Sequence, residues 1–273
     1  MRRIVMFSGG VASWAAARRV ADRYGTQDMT LLFTDTKAED PDLYRFLKEA
    51  SANVGAPLVR IVEGRDPKQV FRDEKFLGNH RIAPCSRILK QEPARKWLRE
   101  NCDSAATVLY LGMDWTEGDR HEGAIRGHAP FPVEFPLDWR PCLTKPACVS
   151  LCLEAGLILP RLYRWATNNN CAGLCVRGGQ GHWARVLAND PKGFTEMELF
   201  EEEMRAELGD IAILDERPGG NRVPLPLRVL RERLQGRAPG QVDLFDIGAC
   251  ACYANDEAAP MTAPEAPARA VGL

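Results

Sequence analysis

The stretch IVMFSGGVASWAAARRVADRYG, residues 4 to 25, contains an abrupt change of pattern. Its first four residues are all apolar, which predicts a strand buried on both faces. From Ser13 onward, apolar residues recur three or four positions apart with arginines and an aspartate between them, which predicts an amphipathic helix. Gly9 and Gly10 join the two elements directly. Such a junction leaves helix N–H groups free, so we expect it to bind phosphate or another anion.

The same alternation of strand and helix continues after this stretch. Further buried strands are predicted at MTLLFTDT (29–36), PLVRIVEG (57–64) and TVLYLGMDW (107–115). The intervening segment 40–55 predicts a helix with Asp40 as its N-cap and Gly55 just beyond its end. Pro93 is expected to start or kink a helix. The order predicts an α/β fold: a doubly wound, mostly parallel, Rossmann-like sheet that binds ligands at the carboxyl ends of its strands.

Composition limits the kinds of partner and compartment. The 273 residues include 36 Lys and Arg against 37 Asp and Glu, a net charge of −1, so any anion site must be local. No apolar run approaches the roughly 20 residues of a membrane span, and the N-terminus does not resemble a secretory signal. We therefore expect a cytoplasmic protein with no membrane contact.

Three regions are predicted along the chain. Residues 1–160 are expected to form the α/β domain that carries the anion site, and residues 161–253 a loop-rich, cysteine-bearing segment packed on it. Residues 254–273, rich in Ala, Pro and Glu, are expected to be a disordered tail. Within the second region, an acidic helix is predicted from Phe194 to Leu208, and its run of glutamates at 201–203 is expected to face solvent.

Nine cysteines are many for a cytosolic chain, and their odd number argues against a disulfide framework. Cys148 and Cys152, four residues apart in a predicted helix, are expected to be core residues. Two other pairs remain, each with close spacing, and a flexible loop rich in Asn and Gly surrounds the first of them. Four such thiolates would suit tetrahedral zinc or an iron–sulfur cluster. The pairs are Cys171 with Cys175 and Cys250 with Cys252.

Six motifs in order resemble the PP-loop ATP pyrophosphatases, in the branch that includes phosphoadenosine phosphosulfate (PAPS) reductases and DNA-phosphorothioation sulfurtransferases. SGGVAS (8–13) resembles the pyrophosphate loop of that family. The other similar segments are LLFTDT (31–36) with its following helix, PCSRILKQEP (84–93), LGMDWTEGDR (111–120), FPLDW (135–139) and PRLYRWATNNNCAGLC (160–175). Three positions depart from the pattern: Ala12 replaces an Asp, Lys37 a Gly and Asp114 an Arg.

The phosphate loop and the polar residues after the later strands are the predicted nucleotide site. Glycines let phosphate oxygens approach the main chain, and the two hydroxyls add donors. The phosphate ligands are expected to be Ser8, Gly9, Gly10 and Ser13. Asp35 is a candidate for a ribose hydroxyl or Mg²⁺, and Glu117 for a metal ligand or base. The cations expected to neutralise phosphate or sulfate oxygens are Arg87, Lys90 and Arg120.

The resemblance also implies a metal centre. By analogy with reductases that act on adenosine phosphosulfate (APS), Cys85, Cys171 and Cys175 would supply three ligands of a 4Fe-4S cluster. Cys250 or Cys252 would be the fourth ligand, and the remaining thiol would be free to act as a nucleophile. Structural zinc and unligated cysteines are the alternatives.

Three functions are compatible with these observations. In the first, the enzyme cleaves ATP to AMP and pyrophosphate and thereby activates an acceptor for sulfur or nitrogen transfer. In the second, a thiolate of Cys250 or Cys252 attacks a sulfonucleotide, PAPS or APS. The third is a non-catalytic nucleotide or iron–sulfur binding protein. The intact Ser-Gly-Gly favours the first. The acceptor would be a nucleic acid or a protein.

Overall fold

The computed structural model describes residues 1–246 and 248, apart from the side chain of Asp119. The predicted tail at 254–273 and the thiols of Cys250 and Cys252 lie outside the described residues.

The centre of the molecule is a five-stranded sheet in which every neighbouring pair of strands is parallel. Its spatial order is β3 (Leu58–Val62), β2 (Met29–Asp35), β1 (Arg2–Met6), β4 (Thr107–Leu111) and β5 (Val133–Glu134). The chain therefore winds outward from β1 to β3, crosses back and continues through β4 on the other side. The predicted doubly wound α/β fold is confirmed, and the carboxyl ends of β1 and β4 form its switch point.

The described residues form ten α-helices, some of which cover the two faces of the sheet. They are α1 (Val11–Tyr24), α2 (Pro41–Val54), α3 (Pro67–Asp73), α4 (Pro84–Ser86), α5 (Glu92–Asn101), α6 (Gly118–His128), α7 (Lys145–Glu154), α8 (Gln180–Asn189), α9 (Pro191–Leu208) and α10 (Leu227–Leu234). Helices α1, α2 and α7 pack on one face, and α5 and α6 on the other. Cys148 and Cys152 on α7 are fully buried, as predicted. None of the described helices is both long and apolar enough to cross a membrane.

Local sequence signals set both ends of α2 and mark the start of α5. The Asp40 side chain accepts a hydrogen bond from the Asp42 N–H at 2.8 Å, and Gly55 ends α2 with φ of 79°, both as predicted. A π-helical turn, Arg87–Gln91, joins α4 to α5 immediately before Pro93. Inserting this wider turn is how the helix accommodates a residue without an N–H group.

The chain beyond residue 160 builds a second apolar cluster. Trp183, Phe194 and Phe200 pack there together with Phe71 and Leu77 from the earlier part of the chain. A short antiparallel pair, β6 (Leu214–Glu216) and β7 (Val223–Leu225), completes this region. The segment is thus richer in helix than its turn-forming sequence predicts, and the boundary at residue 160 stays a prediction.

The prediction that residues 201–203 face solvent is wrong for the first of them. Glu201 is fully buried, and its carboxylate accepts hydrogen bonds from the N–H groups of Ile213 (2.8 Å) and Leu227 (2.6 Å). It thereby satisfies backbone donors at the starts of β6 and α10, which a charge run in the sequence does not indicate. Glu203, by contrast, is exposed.

This buried carboxylate should make stability depend on pH. Burial raises the pKa of Glu201 to about 7, from 4.5. The folded chain therefore holds this proton more tightly than the unfolded chain, and stability should fall by about 3 kcal/mol as pH rises from 4.5 through 7. We expect the Glu201→Gln variant to lose this dependence in urea unfolding at pH 5 and pH 8, whereas Glu207→Gln, at an exposed position of α9, should keep it. An unchanged slope in Glu201→Gln would contradict the assignment.

Candidate functional site

A cleft opens at the switch point, between the carboxyl ends of β1 and β4. Three parts of the chain line it: the turn after β1, the segment after β4, and residues that follow α7 or begin it. The lining residues are Met6, Ser8, Gly10, Ala12, Ser13, Leu111, Gly112, Met113, Asp114, Glu117, Arg120, Lys145, Tyr163, Asn168, Asn169 and Asn170. The cleft is therefore at the place where doubly wound sheets bind their ligands.

The turn after β1 has the geometry of an anion site. Gly9 adopts φ of 76°, and a Cβ there would lie 3.1 Å from Leu43 of α2. Gly10 precedes α1, and its carbonyl accepts a hydrogen bond from the Ser13 hydroxyl at 2.9 Å. The hydroxyls of Ser8 and Ser13 are 3.3 Å apart. Of the first N–H groups of α1, that of Trp14 donates to the Gly10 carbonyl at 3.1 Å, whereas those of Ala12 and Ser13 have no carbonyl one turn earlier within the helix and are available to an anion.

Gly112 allows the segment after β4 to pass against this turn. A Cβ at this position would lie 2.8 Å from the carbonyl carbon and oxygen of Ala12 and from the Cα of Ser13. Any side chain here would therefore push against the backbone at the start of α1. Gly112 follows a predicted strand, but nothing local to it in the sequence indicates which backbone it meets.

Residues beyond position 160 close over the turn. The Tyr163 hydroxyl accepts a hydrogen bond from the Val11 N–H at 3.2 Å, so one amide of the first helical turn already has a side-chain partner. The Asn169 Nδ2 donates to the Gly9 carbonyl at 3.2 Å, and Lys145 Nζ donates to the Asn168 side chain. The sequence predicts no site role for Lys145 or for three residues of the motif from 160 to 175, which are Tyr163, Asn168 and Asn169.

Charged groups of both signs line the rest of the cleft. Arg120 forms an ion pair with Glu117. Burial raises the pKa of Glu117, and the charge of Arg120 opposes that shift. The Asp114 carboxylate accepts a hydrogen bond from the Thr116 N–H at 2.9 Å. Among the described residues, Arg120 Nε and Asn169 Oδ1 are buried without a hydrogen-bond partner.

Asp35 lies at the end of β2 and does not line the cleft. Its buried carboxylate accepts hydrogen bonds from the Lys37 N–H (2.7 Å), the Tyr44 hydroxyl (3.0 Å) and Arg60 Nε (2.7 Å). Arg87 is also outside the lining and forms ion pairs with Glu92 and, at 3.6 Å, with Glu74. The nucleotide-binding roles expected of these two residues stay predictions.

Lys90 is buried beneath the cysteine loop and does not line the cleft. Its Nζ lies 3.6 Å from Glu39 Oε1, with 7% of the lysine side chain and 2% of the glutamate side chain exposed. Glu39 also accepts hydrogen bonds from the Thr36 hydroxyl (3.0 Å) and the Cys171 N–H (2.8 Å). Of the three cations predicted to meet phosphate, only Arg120 lines the cleft.

The loop that contains Cys171 and Cys175 is anchored by contacts with other parts of the chain. Cys171, Ala172 and Gly173 all have positive φ, of 49°, 53° and 84°. His182 Nε2 lies 2.7 Å from the Gly173 carbonyl oxygen, and a Cβ at Gly173 would lie 2.6 Å from the Trp165 ring. A hydrogen bond with Cys175, and then burial, raises the pKa of the Cys171 thiol.

The predicted metal centre is only partly represented in the described chain. Cys85 packs against Val70, Ile88 and Leu89. Among the residues that the structure describes, no group of three or more His, Cys, Asp or Glu side chains is placed to hold a metal ion. Cys85, Cys171 and Cys175 thus do not form a ligand set by themselves, and Cys250 and Cys252 lie outside the described residues. The 4Fe-4S and zinc assignments stay predictions.

Comparisons with known proteins give structural matches only. No family model matches the chain, and no curated protein matches its sequence. Similar solved structures include an NH3-dependent NAD synthetase from Campylobacter jejuni (12% identity, 89% of each chain covered, TM-score 0.39). They also include an NMN synthetase from Francisella tularensis (11% identity, 80% of this chain and 89% of that chain, TM-score 0.42). Likeness at this level carries no argument about what the present chain binds.

Proposed function

We propose that this protein binds ATP with its phosphates on the turn from Ser8 to Ser13 and cleaves it to AMP and pyrophosphate. The observation that carries the proposal is the turn itself: a glycine junction between strand and helix, of which Ser8, Gly10, Ala12 and Ser13 line a cleft at the switch point. Lys145 and Arg120 supply positive charge in the same cleft. The resemblance of SGGVAS to the pyrophosphate loop agrees with this placement.

The chemistry activates an acceptor. An acceptor oxygen attacks the α-phosphorus of ATP, and the bond from that phosphorus to the oxygen bridging the α- and β-phosphates breaks. Pyrophosphate is the leaving group and is bound by the turn, while AMP stays attached to the acceptor. Sulfur or nitrogen then displaces AMP. This chain would contribute positioning and charge neutralisation, and bound Mg²⁺ would neutralise further phosphate charge. We favour sulfur as the nucleophile because the anchored cysteine loop follows directly after Asn170, a residue of the cleft.

The two hydroxyls of the turn offer a direct test. We expect the double variant Ser8→Ala/Ser13→Ala to bind ATP about tenfold more weakly in calorimetric titrations, the loss of about one hydrogen bond to a charged group. Ser51→Ala, which removes a hydroxyl from the far end of α2, should bind like the parent chain. Equal affinity in all three would contradict phosphate binding at this turn.

Product analysis separates the candidate activities. Release of AMP and pyrophosphate from ATP supports the proposal, whereas sulfite from PAPS or APS would instead identify a sulfonucleotide reductase. Nucleotide binding without either product would favour a binding protein. Iron and acid-labile sulfide in anaerobically purified protein would support the cluster, and stoichiometric zinc without them would exclude it.

A further inference from the structure

Of the two buried polar atoms in the cleft without a hydrogen-bond partner among the described residues, Arg120 Nε and Asn169 Oδ1, the second is an acceptor. Asn169 is 3% exposed, and its Oδ1 has no hydrogen-bond partner among the described residues. Buried acceptors are almost always paired, because leaving one unpaired forfeits its hydration without compensation. Since Asn169 lines the cleft, a bound species is the natural partner for this oxygen.

The orientation of the amide is fixed by its neighbour. Asn169 Nδ2 donates to the Gly9 carbonyl oxygen at 3.2 Å. A carbonyl oxygen only accepts, so exchanging the amide nitrogen and oxygen would replace this hydrogen bond by repulsion between two oxygens. The Oδ1 is therefore the atom left for a ligand, and it is held beside the phosphate turn.

The charges around this oxygen select the type of ligand. Phosphate oxygens bound on the turn would repel a bare acceptor oxygen, whereas a cation between them would attract both. Ala12, in the cleft lining, has no carboxylate to offer such a cation, but Asp114 and Glu117 line the same cleft and do, although Glu117 is also paired with Arg120. Carboxylate and amide oxygens together with retained waters are the ligands that Mg²⁺ takes in proteins.

We infer that Asn169 Oδ1 is a ligand, direct or through water, of a divalent cation that binds together with the phosphates of the nucleotide. The inference rests on the proposed function, since it places the cation of the ATP complex. In this arrangement, Asn169 supplies an oxygen ligand that Ala12 cannot supply.

Calorimetric titration of the full chain with ATP, in Mg²⁺ and in EDTA, tests the assignment. The informative quantity is the dissociation constant in EDTA divided by the dissociation constant in Mg²⁺. This ratio measures how much Mg²⁺ tightens ATP binding. We expect Asn169→Ala to reduce that ratio at least about tenfold, the lower end of the loss seen when groups that support a metal site are removed. An unreduced ratio would overturn the inference.

Tyr163→Phe is the matched control. It removes another hydrogen bond between the later chain and the turn, the one from the Val11 N–H, but no oxygen of the metal site. Loosening of the turn alone should weaken ATP binding by the same factor with and without Mg²⁺, so this variant should keep the parent ratio. A ratio that falls equally in both variants would mean that Asn169 acts only through the shape of the turn, which overturns the inference.

The other possible partner for Oδ1 is a ribose hydroxyl of the nucleotide. In that case, Asn169→Ala would weaken binding equally in Mg²⁺ and EDTA, and 2′-deoxy-ATP or 3′-deoxy-ATP would bind the parent chain as weakly as ATP binds the variant. That result would overturn the cation assignment while leaving ATP binding intact. A parent chain that binds no ATP under either condition would instead refute the proposed function.

Discussion

Gly112→Ala should weaken ATP binding about a hundredfold. The added Cβ would lie 2.8 Å from the backbone of Ala12 and Ser13, which is closer than a methyl group can approach, so the start of α1 must move away from β4. Misaligning two amide donors that face phosphate would cost about 3 kcal/mol of binding, which corresponds to that factor. The same crowding should lower the free energy of unfolding by about 1–3 kcal/mol. Calorimetric titration and urea unfolding measure the two effects.

A second glycine gives the control for this substitution. Gly118 is the first residue of α6, and a Cβ there would meet nothing within 4 Å. Gly118→Ala should therefore bind ATP like the parent chain and be as stable or up to about 1 kcal/mol more stable, because alanine favours the helix. Equal ATP affinity in Gly112→Ala and Gly118→Ala would show that the turn is not where the phosphates bind.

Lys90→Met should be among the most destabilising single changes in the chain. It would leave the buried Glu39 carboxylate without its lysine, 3.6 Å away, and removing one partner of a buried ion pair costs about 3–5 kcal/mol. The double variant Lys90→Met/Glu39→Gln, which removes both charges, should recover part of that loss. Urea unfolding of the parent chain, Lys90→Met, Glu39→Gln and the double variant forms a double-mutant cycle that measures the coupling.

This experiment also decides between two roles of Lys90. If the lysine bound phosphate, as its motif implies, Lys90→Met would weaken ATP binding and change stability little. Lys96→Met is the matched control, because Lys96 is 72% exposed and its ion pair with Glu100, at 4.0 Å, should contribute no more than about 1 kcal/mol. Equal stability of the two lysine variants would contradict the structural role.

The elements that could be predicted are those whose signals are local. Runs such as residues 4–7 indicate buried strands, and the cap at Asp40 and the glycine at 55 mark the ends of α2. The turn from Ser8 to Ser13 is predictable for the same reason, since strand, glycines and helix are contiguous. The strand order then places the turn next to the segment after β4, which brings Arg120 into the cleft.

The contacts that could not be predicted join distant parts of the chain. The motif around Lys90 and Arg87 predicts cations that meet phosphate, but only the packed structure shows that one is buried against Glu39 and the other paired with Glu92. Glu201 similarly looks like part of a charged face, and its two backbone partners lie 12 and 26 residues away. Pairing of this kind depends on tertiary position, which the spacing of residue types along the chain does not contain.

The contact between Asn169 and the Gly9 carbonyl has a consequence for biosynthesis, because 160 residues separate its two partners. The turn from Ser8 to Ser13 is synthesised early, and Asn169, which contacts it, is synthesised much later. While residue 169 is still inside the exit tunnel, the turn from Ser8 to Ser13 lacks its contact with Asn169. The complete site would thus form only late in translation, even if the sheet begins to form early.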